Sequence, residues 1–584
     1  MSEKLNVANR LADMAKRIPH SNAIIQSTLT GYKKITYFEL EQDSNRIASV
    51  MQQNGIGCGK RIALFVRYGI DFISLVFALF KTGATIILID PGMGVRRMLN
   101  CLAEVEPDGM IAIPPVHFVR LLLRRKFPKS KHNIIVGRSW FLRGLTLDKI
   151  RRNETCTNFN PVAMSPDAPA AIIFTSGSTG PPKGVEFTHR IFDTQINEIA
   201  ARYEIITGDI DLACFPLFGL FDPAMGVTAV IPNIDPTKPA KANPAKIIRI
   251  ANECKITQSF ASPAIWNLIA NYCNENKKNN VNDNVKEYAV ENDNEIKTEI
   301  ETETETENKI ITPYTSSKIS AFKIPTLKRA ISAGAPVSAS ILQQLKPYIH
   351  PQGDIFTPYG ATESLPTASI SATEILSETV NITNYGGGVC VGQRFQSISW
   401  AIIEISDQPI PQLENATILP NGEIGELIVT GSQVTKKYIN RPESNALAKI
   451  TDANGKIWHR MGDAGYLDSK DRFWFCGRKA HRIETPEGTL FSIPCESIFN
   501  QHPAVFRSAL ANSPNGKPRI FIEPYHQNYP KSKKESTILI NELLELAQKN
   551  QITKQIKEIR IMRNFPVDIR HNVKINRELL SSLR

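Results

Sequence analysis

The 584-residue chain reads as a layered α/β protein: mostly parallel sheets in a large multi-subdomain amino-terminal part, then a β-rich subdomain, then a small α+β unit at the carboxy-terminal end. Three patterns lead there. Strand-length apolar runs, RIALFVR at 61–67 and TIILID at 85–90, flank a helix-length one, DFISLVFALFKTGA at 71–84, as a parallel sheet with covering helices requires. Next, IGELIVTGS at 424–432 and RFWFCGR at 472–478 read as strands joined by tight turns. Last, ILINELLELAQKN at 538–550 has helical period and precedes a strand at 557–562, which puts the boundary between the two large units near 480, with 1–479 on one side and 480–584 on the other.

Composition narrows the class. With 42% hydrophobic residues the chain can bury a sizeable core, and its length calls for two or more domains. Nine cysteines without a CxxC pair suggest neither a zinc cluster nor a disulfide framework, so a reducing cytoplasm is expected. No stretch reads as a signal peptide or a membrane span. The formal charge of +12 is spread along the chain, which argues against nucleic acid as a partner. One local exception is RLLLRRKFPKSKHN at 120–133, which reads as a solvated amphipathic helix end, with peripheral contact to a membrane or an acidic carrier as the alternative. Residues 274–309 carry an alternating Glu/Thr tract and almost no aromatic side chains, and read as a disordered insertion between a helix and a strand.

The most informative stretch is FTSGSTGPPKG at 174–184. Small apolar residues lead into it as a buried strand. Thr175, Ser176, Gly177, Ser178, Thr179 and Gly180 can then turn backbone amides and hydroxyls toward a polyanion, with Lys183 as a point charge. The spacing is not that of a Walker loop, because Pro182 precedes Lys183 and Gly184 follows it. Thr188 can cap a helix whose apolar face is Phe192, Ile196, Ile199 and Tyr203, so strand, loop and helix are expected in that order.

This loop resembles the signature of the adenylate-forming enzymes, the AMP-binding superfamily of acyl-CoA synthetases, peptide-synthetase adenylation domains and firefly luciferase. Further likenesses follow in chain order: SAGAP at 332–336, YGATES at 359–364, GEIGELIVTG at 422–431, HRMGDAGYLD at 459–468, GRK at 477–479 and VKINREL at 573–579. The resemblance implies a large adenylation domain with a small mobile lid, and ATP with magnesium as cofactors. It implies an adenine wall at Gly334, Ala335 and Pro336, with Tyr359 and Gly360 on the other side. Glu363 would hold the magnesium, with Thr175 beside it, and Thr362 would bond the α-phosphate. Asp463 and Arg478 would hold the ribose. Lys574 would enter from the lid and stabilise charge developing between carboxylate and α-phosphate.

Several positions depart from the acyl-CoA synthetase pattern. Gly219 in PLFGLFDP stands where those enzymes carry histidine, Ala480 replaces an acidic hinge residue, Val573 replaces a glycine, and Ile483 and Glu484 stand for an Ile-Lys pair within a longer 481–496 segment. Together with IPNIDPTKPAKANP and FPVDIRHNVKI, these departures resemble the olefin β-lactone synthetases of bacterial long-chain olefin biosynthesis. That branch implies adenylation of a hydrophobic 2-alkyl-3-hydroxy acid and attack by its own 3-hydroxyl, with enzymes of olefin biosynthesis as partners. Two other readings stay open: a fatty-acyl-CoA or acyl-carrier ligase of the same fold, and a non-catalytic nucleotide-binding scaffold.

Overall fold

The computed structural model describes residues 4–138, 142–153, 156–175, 181–215, 219–235, 237–277, 322–567 and 575–583. Among these, one sheet has seven strands in the order Leu145–Thr146, His132–Ile135, Gly109–Ala112, Arg61–Phe65, Thr85–Leu88, Pro169–Phe174, Gly184–Thr188. All its neighbours pair in parallel except the last two. The helix Ile70–Thr82 connects two of these parallel strands. It buries nearly its whole length, which explains a sequence apolar all round rather than on one face, and Gly83 ends it at φ +73°. Lys81, inside that run, pairs with Glu41 Oε1 at 2.8 Å and donates to Ser44 and Asn45, so its charge is compensated.

The other large sheet links fourteen strands among the described residues. Its first half is parallel from Asn22–Ser27 through Thr228–Ile231, Ile210–Leu212, Gln258–Ala261 and Arg329–Ser332 to Asp354–Ala361. It turns antiparallel at the hairpin of Asp354–Ala361 and Ser364–Ser371, and continues so through Val389–Arg394, Arg472–Arg478, Ile457–Leu467, Gly425–Gly431 and Ile398–Ile403. The β-rich stretch anticipated from 424–432 and 472–478 is thus hydrogen-bonded into the parallel sheet and extends it. Ligands of such sheets lie beyond the carboxyl ends of the parallel strands. SAGAP, the 362–363 turn and the 175–184 loop all follow such ends.

The helix of residues 263–277 runs through Asn274, Glu275, Asn276 and Lys277, the first four residues of the expected insertion. Asn274 is held there by the Tyr348 hydroxyl, which donates to its Oδ1 at 2.8 Å. Residues 278–309 lie outside the described residues. Beyond Lys479–His481, the strands Val505–Asn512, Pro518–Pro524 and Glu558–Ile561 form a separate three-stranded sheet. Its core of Leu510, Ile520, Ile522, Leu539 and Leu543 draws only on residues from 483 onward. The helix there, Lys533–Gln548, starts earlier than its apolar period suggested, because Ser532 caps it by accepting from the Glu535 N–H.

Candidate active site

Thr175 closes the neck of the glycine-rich loop. Its N–H donates to Lys183 O at 3.0 Å, and its Oγ1 accepts from the Lys183 N–H at 3.1 Å. Ser176, Gly177, Ser178, Thr179 and Gly180 lie outside the described residues. The chain returns as a strand, Gly184–Thr188, antiparallel to Pro169–Phe174, before Thr188 caps the helix His189–Arg202 by accepting from the Ile191 N–H. The intervening strand corrects the expected order of strand, loop and helix. Five residues show too little alternation to announce a strand, and their ladder is supplied by the partner across the loop.

Thr362 and Glu363 are the two-residue turn of the hairpin in which Ala361 pairs with Ser364. A single extended segment, 434–439, reaches both this turn and the glycine-rich loop. At one end Val434 bridges Ser364, and the Thr435 N–H donates to Glu363 O at 2.9 Å. At the other, Tyr438 bridges Val185 and the Ile439 N–H donates to Gly184 O at 2.8 Å. Tyr438 therefore stands between the two sequence-predicted site elements. Its hydroxyl donates to Glu363 Oε1 at 2.7 Å, and Lys183 Nζ lies 4.9 Å from the centre of its ring. Burial and the Glu363 carboxylate push its phenol well above the ordinary range, so it is a donor at neutral pH.

Two further residues complete this cluster. The half-buried Lys449 places Nζ 5.6 Å from the Tyr438 ring and donates to Thr435 Oγ1 at 3.4 Å. Burial lowers its pKa to about 7, opposed by the attraction of Glu363. His459 sets its ring edge-on to Tyr438, and burial together with Lys449, Lys183 and Arg478 keeps it neutral. Sequence reading missed Tyr438, Lys449 and His459. Only a lysine inside the apolar rhythm of NALAKIT hinted at them.

A second cluster forms where Asp463 and Arg478 face each other in the ladder of Ile457–Leu467 and Arg472–Arg478. Asp463 is buried, Arg478 Nη1 lies 2.9 Å from its Oδ1, and the Tyr359 hydroxyl donates to its Oδ2. Oδ1 meets Arg478 as an ion pair outside hydrogen-bond geometry. Burial raises the Asp463 pKa while Arg478 and Tyr359 oppose the shift. The Tyr359 ring rests on Phe473 and Phe475, with centroids 5.6 and 6.3 Å away, which fixes its plane. Gly360, beside it, is exposed. An added Cβ there would come within 2.5 Å of Ser364 O, so the hairpin needs glycine. Gly334, at φ +95°, turns the chain after Arg329–Ser332, and Gly334 and Pro336 are exposed with Ala335 half-buried between them.

Gly219 explains itself through a distant residue. A Cβ at 219 would lie 1.9 Å from the buried Tyr68 hydroxyl and 2.7 Å from Ala213 Cβ, so no side chain fits without displacing Tyr68. Below it, Asp211 and Asp222 are fully buried against one another, and burial raises both carboxyls, that of Asp211 to about 7. Lys574 and Val573 lie outside the described residues. The terminal motif is nonetheless anchored: Arg577 Nη2 binds Glu496 of the helix Ser492–Phe499 at 2.6 and 2.8 Å.

A family model described as AMP-binding enzyme matches residues 11–439, most of the chain and all of the first cluster up to Tyr438. The chain belongs to the AMP-binding enzyme family. The sequence is 34% identical over its full length to the olefin beta-lactone synthetases of Xanthomonas campestris pv. campestris and Stenotrophomonas maltophilia, covering 98% of each. The crystal structure of ATP-bound MatB from Rhodopseudomonas palustris superposes with a TM-score of 0.72 at 18% identity, covering 99% of both chains.

The site of this AMP-binding enzyme fits a nucleotide and a divalent cation on its own geometry. The buried Asp463 carboxylate, ion-paired with Arg478 through Oδ1, keeps lone pairs that can accept from hydroxyl donors. Among the described residues the only hydrogen bond to the Glu363 carboxylate engages Oε1, which leaves Oε2 for a cation. No group of three or more His, Cys, Asp or Glu side chains suited to a metal occurs among those residues. One carboxylate is the donor set of a cation that takes its remaining ligands from phosphates and water.

Proposed function

We propose that this enzyme activates a long-chain 2-alkyl-3-hydroxy carboxylic acid with ATP and closes it to a β-lactone. The substrate carboxylate attacks the α-phosphorus of ATP, pyrophosphate leaves, and an acyl-adenylate forms. The 3-hydroxyl oxygen then attacks the acyl carbon, loses its proton, and expels AMP. Because the nucleophile is already part of the substrate, its effective concentration is high and no second substrate is needed.

The observation that carries the reading is the Lys183–Tyr438–Glu363 contact, which assembles a cation and a carboxylate at the loop where a triphosphate would lie. Magnesium, when bound at Glu363 with Thr175 nearby, supplies charge neutralisation of the phosphates. Thr362 offers a hydroxyl to the α-phosphate. Asp463 accepts from the ribose hydroxyls, with Arg478 as its partner, and adenine lies between Gly334–Pro336 and Tyr359 with Gly360. Lys574 approaches from residues 480–584, a lid that moves relative to 1–479, and stabilises the charge that develops during adenylation. The substitution of histidine by Gly219 supports the lactone over a thioester, since Tyr68 fills the space a side chain would take.

The test is product analysis. A 2-alkyl-3-hydroxy acid with ATP and magnesium should give AMP, pyrophosphate and a β-lactone at a rate indifferent to coenzyme A. A matched acid lacking the 3-hydroxyl should leave an acyl-adenylate on the enzyme with little turnover. Acceleration by coenzyme A with thioester as product would transfer the assignment to a ligase.

A further inference from the structure

The helix Pro114–Leu122 turns its apolar side outward. His117 is buried and its Nε2 hydrogen-bonds Ile134 O at 2.9 Å, while Phe127, just past the helix, is buried with Cys101, Leu102 and Met110. These two anchors fix the rotation of the segment. They leave Phe118, Leu121 and Leu122 exposed by 59%, 47% and 68%. The spacing of 118, 121 and 122 is one helical stripe, so three large apolar side chains share the same outward line. Solvated helices place charge on that line and their apolar residues on the other.

The 3-10 turn Arg124–Lys126 closes the helix and is exposed throughout. Among the described residues no carboxylate pairs with Arg124, Arg125 or Lys126. Lys129, a little further on, does have a partner, Glu106 at 2.7 Å. Exposed apolar side chains scattered singly need no explanation, but a stripe of them ending in three unpaired cations is a combined feature. An apolar line a few side chains long matches the shallow depth to which an interfacial helix inserts, and free cations at its end match anionic headgroups. Long basic side chains can lie along the boundary with their heads in the phosphate layer.

We infer that Phe118, Leu121 and Leu122, with Arg124, Arg125 and Lys126, form a peripheral docking surface for an anionic phospholipid bilayer. No helix of the described residues is long and apolar enough to cross a membrane. The inference goes beyond the proposed reaction and is testable without its substrate.

The full-length protein is floated with vesicles of mixed phosphatidylglycerol and phosphatidylcholine, and separately of phosphatidylcholine alone. It should float with the anionic vesicles, remain below with the neutral ones, and be released near 1 M salt, where the screening length falls to about 3 Å. Leu121→Gln with Leu122→Gln, and separately Arg124→Gln with Arg125→Gln, should each lower the partition onto anionic vesicles by about tenfold or more. Thermal stability and pyrophosphate exchange with a short soluble acid should not change. Equal flotation of parent and both variants, or no flotation of the parent, overturns the inference. In the second case, loss of a protein partner by the same variants would assign the stripe to protein docking instead.

Discussion

The hydroxyl of Tyr438 donates to Glu363 Oε1 at 2.7 Å, joining a residue bridged to the strand that follows the glycine-rich loop to the turn that would carry the cation. Lys183 and Lys449 approach the same ring, at 4.9 and 5.6 Å from its centre. One aromatic residue thereby sets the carboxylate's orientation and holds two ammonium groups in place.

Tyr438→Phe keeps the ring and removes the donor. A hydrogen bond to a charged acceptor contributes about 1.5–3 kcal/mol, so kcat/KM for adenylation should fall by about ten- to a hundredfold. The thermal midpoint should shift little. Pyrophosphate exchange measured against magnesium concentration should show a raised magnesium requirement, and an unchanged magnesium curve would separate Tyr438 from cation binding.

Lys449 is half-buried, and the Glu363 carboxylate attracts its charge against the desolvation that lowers its pKa. Lys449→Met fills similar volume without the desolvated charge, so stability should hold or rise by about 1 kcal/mol. Adenylation should fall, because the cation opposite Lys183 is gone. Equal losses of stability and activity would make the residue structural only.

The Asp211 and Asp222 carboxyls are raised in the folded protein, so folding favours their protonated forms. Between the ordinary carboxyl pKa of 3.8 and about 7, the unfolded chain releases protons that the folded one retains. The Asp211 contribution is therefore fully present below the unfolded value and is lost as pH rises to about 7. Asp211→Asn should match the parent at pH 4 and exceed it at pH 8 by on the order of a few kcal/mol. Thermal unfolding at both pH values checks this, and a variant weaker at pH 8 would contradict it.

Gly219→Ala should destabilise by about 1–3 kcal/mol, the cost of overpacking against Tyr68. Adding Tyr68→Phe removes the hydroxyl that the new methyl meets and should restore part of the loss. A double mutant no more stable than Gly219→Ala would show that the close approach is not what excludes a side chain there.

Lys574→Ala should lower acyl-adenylate formation by orders of magnitude while ATP affinity stays within a few-fold, and Asp463→Ala should weaken ATP itself. Rapid-quench assay of the adenylate and equilibrium nucleotide binding distinguish the two. Normal adenylate formation by the Lys574 variant would remove that lysine from the chemistry.

The sequence by itself determined the layered α/β class, the positions of its main strands and helices, and the family. Those are local properties. Apolar period follows from 3.6- and 2-residue repeats, and TSGSTGPPKG, SAGAP and YGATES are contiguous strings whose small residues are demanded by turns and close backbone approach. Even the cap at Thr188 was legible, because capping is settled within four residues.

Only the tertiary structure decided what stands beside those strings. Tyr438 is 75 residues from Glu363, Tyr359 is 104 from Asp463, and their hydrogen bonds have no signature in either local stretch. The strand Gly184–Thr188 owes its form to a partner across the loop, and the β-rich strands joined the parallel sheet through long-range ladders. Gly219 looked like a missing histidine in the sequence and proved to be the space occupied by Tyr68. The exposed stripe at Phe118, Leu121 and Leu122 has an amphipathic period that cannot say which side faces the core. Burial is set by packing of distant segments, here by His117 against Ile134 and Phe127 against Met110, and periodicity alone carries no such direction.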